Sequence, residues 1–441
     1  MKRNLILYLI LSGFVFVNAQ TKKIEFTQYK LGNGLNVILH KDNTTPIVAV
    51  SVLYHVGSKN EDPDRTGFAH FFEHLMFEGS PNIARGEYFK IIESNGGTDN
   101  ANTTFDRTYY FEILPSNNLA LGLWLESERM LHLKIDSIGV ETQRKVVKEE
   151  KKQRLDNEPY GSLLEKIFSN AYKVHPYRWT PIGKEQYIDK ASIPEFMAFY
   201  KKYYVPDNAT LTIAGDIDID QAKQLIKKYF SEIPKGNIKI NRPTEVEPVK
   251  TAEVRETVYD NVQLPLVCET YHIPAQGTQD SYAINMLTTL LSSGESSRLV
   301  KEIKDKQQKA LYVGTVPLAM EDPGVFIVYG LPNIGGKAED LEAAFDAEIA
   351  KVKENLISET EFQKIRNQVE TEFVTKNSSV AGIAESLADY SVYFKDANLI
   401  NTEIERYMKV TREDIKRVAD KYLTKENRVV LYYLPKSMEK K

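Results

Sequence analysis

Three features of the 441-residue sequence predict an α+β protein built as two related domains. The chain is too long for one ordinary core and suits about two domains of roughly 200 residues. Strand-like and helix-like stretches follow one another along most of it. A helix–turn–strand unit at 192–215 also recurs without gaps at 411–434, an offset of 219 residues. In that register Phe196 meets Ile415, Lys202 meets Lys421, Tyr203 meets Tyr422, Asp207 meets Glu426 and Asn208 meets Asn427. Composition agrees with a globular chain, with 42% hydrophobic and 27% charged residues. The net charge of −4 is too small to point to nucleic acid or an anionic membrane surface.

The elements follow in order. Residues 1–19 read as a cleaved secretory signal. Lys2 and Arg3 give a positive start, 5–17 is mostly apolar, and Val17 and Ala19 stand at the −3 and −1 positions before Gln20. The apolar run is short for a membrane span, and an uncleaved anchor is the alternative. The expected location is therefore periplasmic or extracellular, with no stable membrane anchor after cleavage. A hairpin is expected next, with strands at 24–29 and 35–40 around Gly32-Asn33-Gly34. Another strand covers 47–56, helices cover 66–77 and 87–94, and paired strands cover 98–104 and 108–114. Long helices are expected at 117–133 and 139–155. Between 234 and 257 the apolar periodicity fades among Pro234, Gly236, Pro243 and Pro248, which reads as a linker. The domains are thus expected at 20–233 and 258–441.

Cys268 is the only cysteine. Without a disulfide, the cores must supply the stability, and a thiolate-rich metal site is excluded. Any metal must be held through His and carboxylates. His70-Phe71-Phe72-Glu73-His74 has that form. On a helix, positions i and i+4 lie one turn apart, so both imidazoles can reach one ion. Glu73 falls close to the same face, placed to take the proton of a water that zinc has acidified. The order is inverted relative to H-E-x-x-H, but the helical geometry serves the same task. The bland alternative is a helix with two histidines beside an aromatic patch. Against it, histidine is scarce, at seven in 441, and two stand here with an acid between them.

The neighbouring residues extend the pattern. Gly57-Ser58-Lys59-Asn60-Glu61 precedes the motif, Gly67-Phe68-Ala69 leads into it, and Leu75-Met76-Phe77-Glu78-Gly79-Ser80 follows. With Gly96-Gly97, Asn100-Ala101-Asn102-Thr103, Thr108-Tyr109, His175-Pro176-Tyr177 and Tyr204-Val205-Pro206-Asp207-Asn208, these closely resemble the pitrilysin (insulinase-like) family of zinc peptidases. The resemblance implies two α/β-sandwich domains, with antiparallel-rich sheets and helices packed on them, facing a substrate cavity. It also implies one zinc ion per chain and cleavage of peptides or unfolded protein segments. Alternatives from other classes are a noncatalytic peptide-binding subunit and a zinc hydrolase acting on something else.

By that resemblance the third ligand is a glutamate about 75 residues after His74, where Glu149 and Glu150 are adjacent. Glu150 is i+4 from Val146 and i+3 from Val147, on the apolar face, whereas Glu149 lies with Lys145 and Lys148. Glu150 is therefore the expected ligand; the alternative is that both acids are surface charges. Gln143 stands where the family often has a second acid, which leaves it a supporting hydrogen-bonding role. Asn100, Ala101, Asn102 and Thr103 form a small, polar strand whose backbone could accept an extended peptide, unless it is simply a blunted edge. Tyr312 matches one member of the family's substrate-holding arginine–tyrosine pair. Seven residues earlier stands Asp305, with Lys304 beside it, and Arg298 is expected to pack or cap a helix. Half-length chains of this family commonly work as dimers. A dimer is expected here, with a distinct related subunit carrying the missing arginine; the alternative is a homodimer in which Lys304 or Arg298 substitutes.

Overall fold

The computed structural model describes residues 23–439, so the expected signal and its cleavage point lie outside the described residues. The first half builds a six-stranded sheet from β1 (Thr27–Lys30), β2 (Asn36–Lys41), β3 (Ile47–Tyr54), β4 (Thr98–Thr103), β5 (Thr108–Pro115) and β6 (Ala209–Gly215), in the order β1-β2-β6-β3-β5-β4. The second half builds five strands from β7 (Val254–Asp260), β8 (Leu266–His272), β9 (Ala310–Leu318), β10 (Val325–Pro332) and β11 (Arg428–Pro435), in the order β7-β11-β8-β10-β9. Apart from β1 the two orders are the same. In each, one pair is parallel (β2 with β6, β7 with β11) and the rest are antiparallel. The sequence repeat is therefore a repeat of topology.

The repeated unit shows why its identities recur. Asn208 Nδ2 donates to the Tyr203 carbonyl at 2.8 Å and to the His55 carbonyl at 3.3 Å. Asn427 Nδ2 donates to the Tyr422 and His272 carbonyls at 2.7 and 2.9 Å. Each asparagine ties the end of a helix to the end of a neighbouring strand, satisfying carbonyls that the turn would otherwise leave unpaired. The hairpin glycine is also specific. Gly34 has φ +92°, and a Cβ there would meet Asp207 Cβ at 2.7 Å.

Helices cover one face of each sheet from within its own half. In the first half these are α1 (Phe68–Leu75), α2 (Tyr88–Ser94), α3 (Leu119–His132) and α4 (Ser137–Lys151), followed by α5 (Leu163–Ala171), α6 (Glu185–Lys190), α7 (Ile193–Tyr203) and α8 (Ile219–Phe230). The second half has α9 (Gln279–Ser292), α10 (Ala338–Glu354), α11 (Glu359–Lys376), α12 (Val380–Phe394), α13 (Leu399–Met408) and α14 (Arg412–Tyr422). Two of them cross over. On α5, Ile167 and Phe168 pack with Cys268, Val325 and Leu431 of the second sheet. On α12, Ile383, Ala384 and Leu387 pack with Ile38, Ala49 and Ala214 of the first. Each half thus closes the other's sheet.

The stretch expected as a linker is also fastened down. Glu247 accepts the backbone N–H groups of Lys173, Val174 and His175 at 2.8 to 2.9 Å, and β7 begins at Val254, within the expected 234–257. If the exchange is structural, Phe168→Ala should cost about 3–5 kcal/mol, as for other buried aromatics. Thermal unfolding followed by circular dichroism should show one transition, shifted down. Two separate transitions would mean that the halves are independent.

Candidate metal centre

Helix α1 divides its residues cleanly. Phe68, Phe71, Phe72 and Leu75 are buried, and Phe68 and Phe71 each stack on Phe196 of α7 with ring centroids 4.8 Å apart. That spacing is one helical face. His70, Glu73 and His74 fall on the other. The helix starts at Gly67, whose φ of +98° favours glycine. Its first donors are satisfied from a distance: Glu61 accepts the N–H groups of Gly67 and Ala69 at 2.9 and 2.8 Å. A carboxylate there satisfies orphan donors and suits the helix dipole. Beyond the other end, the Arg129 guanidinium lies over the rings of Phe77, Tyr88 and Tyr110 at 4.3 to 4.7 Å. The Tyr110 hydroxyl donates to the Phe72 carbonyl at 3.2 Å.

Helix α4 packs on α1 and brings in Glu150. Glu150 Oε2 lies 3.1 Å from His74 Nε2 and 3.6 Å from His70 Nε2, and the two imidazole nitrogens are 3.4 Å apart. Ligands bound tetrahedrally at about 2.0–2.1 Å stand about 3.3 Å from one another, so these three atoms fit one zinc ion. Glu150 Oε2 is buried without a well-aligned hydrogen-bond donor among the described residues, as a ligand oxygen facing a cation position should be. Burial and the neighbouring His74 lower the His70 pKa to about 4, which keeps its imidazole neutral and able to ligate. The contact with His74 holds the Glu150 carboxyl below its ordinary range. Arg154 Nη1, on the π-helical turn after α4, pairs with the other oxygen, Oε1, at 2.7 Å.

Glu149 is exposed and accepts from Gln153. The helical phase that separates it from Glu150 holds through Val147, which is buried, but not through Val146, which is 43% exposed. A second acidic group, Glu269 with Glu342 and Asp346, also converges, but the Arg428 guanidinium sits among them at 2.6 to 3.3 Å. That cluster already has its cation. In the second half, α9 follows β8 as α1 follows β3, and it contains neither histidine nor cysteine.

Glu73 accepts a hydrogen bond from Thr103 Oγ1 at 2.6 Å. Burial raises its carboxyl above the usual range, against the opposing pull of Thr103 and His74. The threonine is thus more than a small residue on an open strand. Strand β4 is an edge, paired with β5 alone, and its Ala101 N–H is taken up by the side chain of Asn100 at 2.8 Å. Asn102 lies 3.5 Å from the guanidinium of Arg107. A cavity of about 550 Å³ between the halves begins beside Thr103 and is walled by Leu164, Phe168, Leu318 and Met320. Gln143 donates to Glu78 at 2.6 Å, and Glu78 in turn pairs with Arg85, so Gln143 braces α4 against the segment that follows α1. Tyr312 stands away from this chemistry on the edge strand β9, 49% exposed, with its hydroxyl 3.2 Å from that of Tyr329.

With this geometry in hand, the relatives decide the family. Residues 36–183 match the model described as Insulinase (Peptidase family M16), and 190–369 match Peptidase M16 inactive domain. A Helicobacter pylori protein named Zinc protease PqqE is 33% identical over 424 residues, covering 95% of each chain. The chain belongs to the insulinase family, peptidase family M16. A solved structure of a protease from Helicobacter pylori superposes with a TM-score of 0.89 at 32% identity, over 93% of this chain and all of that one. The periplasmic protease PqqL from Escherichia coli shares the fold at a TM-score of 0.75 and 19% identity, and the match takes up 48% of its length. Family members of this kind are named zinc proteases. The inactive-domain match runs from the end of the first half into the second, whose α9 carries no histidine or cysteine.

Proposed function

We propose that this chain is a zinc endopeptidase that hydrolyses peptides or unfolded segments, with His70, His74 and Glu150 as ligands and Glu73 as general base. The observation that carries this reading is the convergence of three donor atoms 3.1 to 3.6 Å apart beside an open strand edge. Zinc would supply a Lewis acid that polarises the scissile carbonyl and makes water more acidic. Glu73, on the same helix face as the histidines, accepts the proton from the attacking water and passes it to the leaving amine. Thr103 fixes which way the Glu73 carboxylate points. An extended peptide adds to β4 as a further strand, with backbone hydrogen bonds giving affinity at little cost in sequence specificity. The assay is incubation of the purified, zinc-loaded chain with a mixture of unstructured peptides, with and without a chelator. Cleavage abolished by the chelator and restored by zinc is expected; no cleavage by the loaded chain, either alone or with a co-expressed related subunit, sinks the reading.

Two further elements belong to this proposal. Export through the 1–19 signal, to a periplasm or the exterior, rests on its charge and apolar pattern. A dimer with a related, distinct subunit rests on the second half. Arg298 is held in a fork by Glu361, in the first turn of α11, at 3.0 and 3.1 Å, and Lys304 lies 3.6 Å from Glu295. Tyr312 is hydrogen-bonded instead to Tyr329, and a lysine lacks the planar fork that grips a carboxylate. Solution mass together with the rate of the chain alone tests this. A fully active homodimer would eliminate the distinct partner.

A further inference from the structure

The turn joining β4 to β5 is held by the second half on two sides. Asp106 accepts the Glu321 N–H at 3.0 Å, the Tyr177 hydroxyl at 2.6 Å and the Lys59 ammonium at 2.8 Å, and Lys59 also pairs with Glu321 and Asp322. The next residue, Arg107, is 8% exposed. Its guanidinium donates to Asp389 at 2.5 Å and to Glu385, both on α12, and reaches back to Asn102 Oδ1 on β4 at 3.5 Å. A buried guanidinium needs its charge matched, and the first half does not supply the match. It comes from a helix of the half that carries no metal ligands.

We infer that Glu385 and Asp389 are positioning residues for peptide binding, acting through Arg107 on the edge strand β4; the inference rests on the reading of β4 as the strand that receives the peptide. Glu385 and Asp389 are one helical turn apart and each takes one arm of the fork, so together they fix the plane of the guanidinium. That plane sets the distance of Asn102 from the turn, and Thr103, the next residue, carries the hydroxyl bound to Glu73. The second half thereby holds the strand at the height at which a peptide backbone meets the Glu73 carboxylate. Arg107, Asp389 and Thr103 line the same inter-half cavity, so the coupling runs along one continuous wall.

Affinity is measured in a Glu73→Gln background, by anisotropy of a fluorescein-labelled, unstructured peptide without charged side chains. Such a probe does not feel the lost carboxylate directly. Glu385→Gln should raise Kd by about fivefold or more with zinc content and Tm unchanged, and Asp389→Asn, which leaves a buried charge unmatched, should raise Kd at least as far while lowering Tm. Arg107→Lys, which keeps the charge and loses the fork, should raise Kd as Glu385→Gln does, whereas Glu385→Asp should recover part of the affinity. Glu385 lies at the rim, 36% exposed, so its variant carries the test if Asp389→Asn folds poorly. Unchanged affinity in Glu385→Gln overturns the inference, as does a loss in that variant that tracks a fall in its Tm. Binding is read without turnover, so this result stands apart from whether the native chain cleaves peptides.

Discussion

Glu73→Gln should keep its zinc and lose turnover by about 10²–10⁴-fold, the range that general-base groups contribute. Glutamine is close in shape to glutamate and can still accept the Thr103 hydroxyl through its amide oxygen, so the packing of α1 is preserved. It cannot take a proton. The three ligand side chains are untouched, so metal content by atomic absorption should match the parent while kcat collapses. The contrast with the histidines makes the test specific. His70→Ala or His74→Ala removes a ligand and should lose the metal itself. Near-normal turnover in Glu73→Gln would remove the residue from the mechanism.

The next largest effect separates two adjacent acids. Glu150→Gln should weaken zinc binding by at least about a hundredfold, since even outer-shell changes cost ten- to a hundredfold. An amide oxygen is a far poorer ligand than a carboxylate, and Arg154 would lose its ion-pair partner. Glu149→Gln should change zinc affinity little, because Glu149 is exposed and its side chain accepts a hydrogen bond from Gln153 across one turn. Titration of the metal-free chain against a zinc chelator of known affinity gives both numbers. The reverse pattern would shift the assignment by one residue along α4.

The candidate metal centre was readable because its main geometry is local. His70 and His74 must share a face wherever that helix packs, since the spacing of i and i+4 is a property of the helix. Glu150 was readable through phase, though half of the argument failed. Val146 and Val147 look alike in sequence, and which of them is inward depends on where α1 meets α4. The recurrence of Asn208 as Asn427 likewise signalled two related halves, because each ties a helix to a strand in the same way.

Other parts join residues far apart in the chain. Glu61 stood out within a recognisable string, but nothing in that string says that it caps α1. Thr103 read as a small residue on a strand, and its bond to Glu73 spans 30 residues. Helices α5 and α12 each bury an apolar face against the other half's sheet, and periodicity does not say which sheet provides the cover. Sequence alone pointed to the helix that carries His70 and His74, to Glu73 beside them, to Glu150 rather than Glu149 as the acid that meets them and to the duplicated α+β plan, from helix and strand spacing together with the family resemblance. The exchange of α5 and α12, the ion pairs from Arg107 to α12 and the open edge of β4 were decided only by the tertiary structure. They depend on which buried surfaces meet once the chain has closed, and burial is shared between segments hundreds of residues apart.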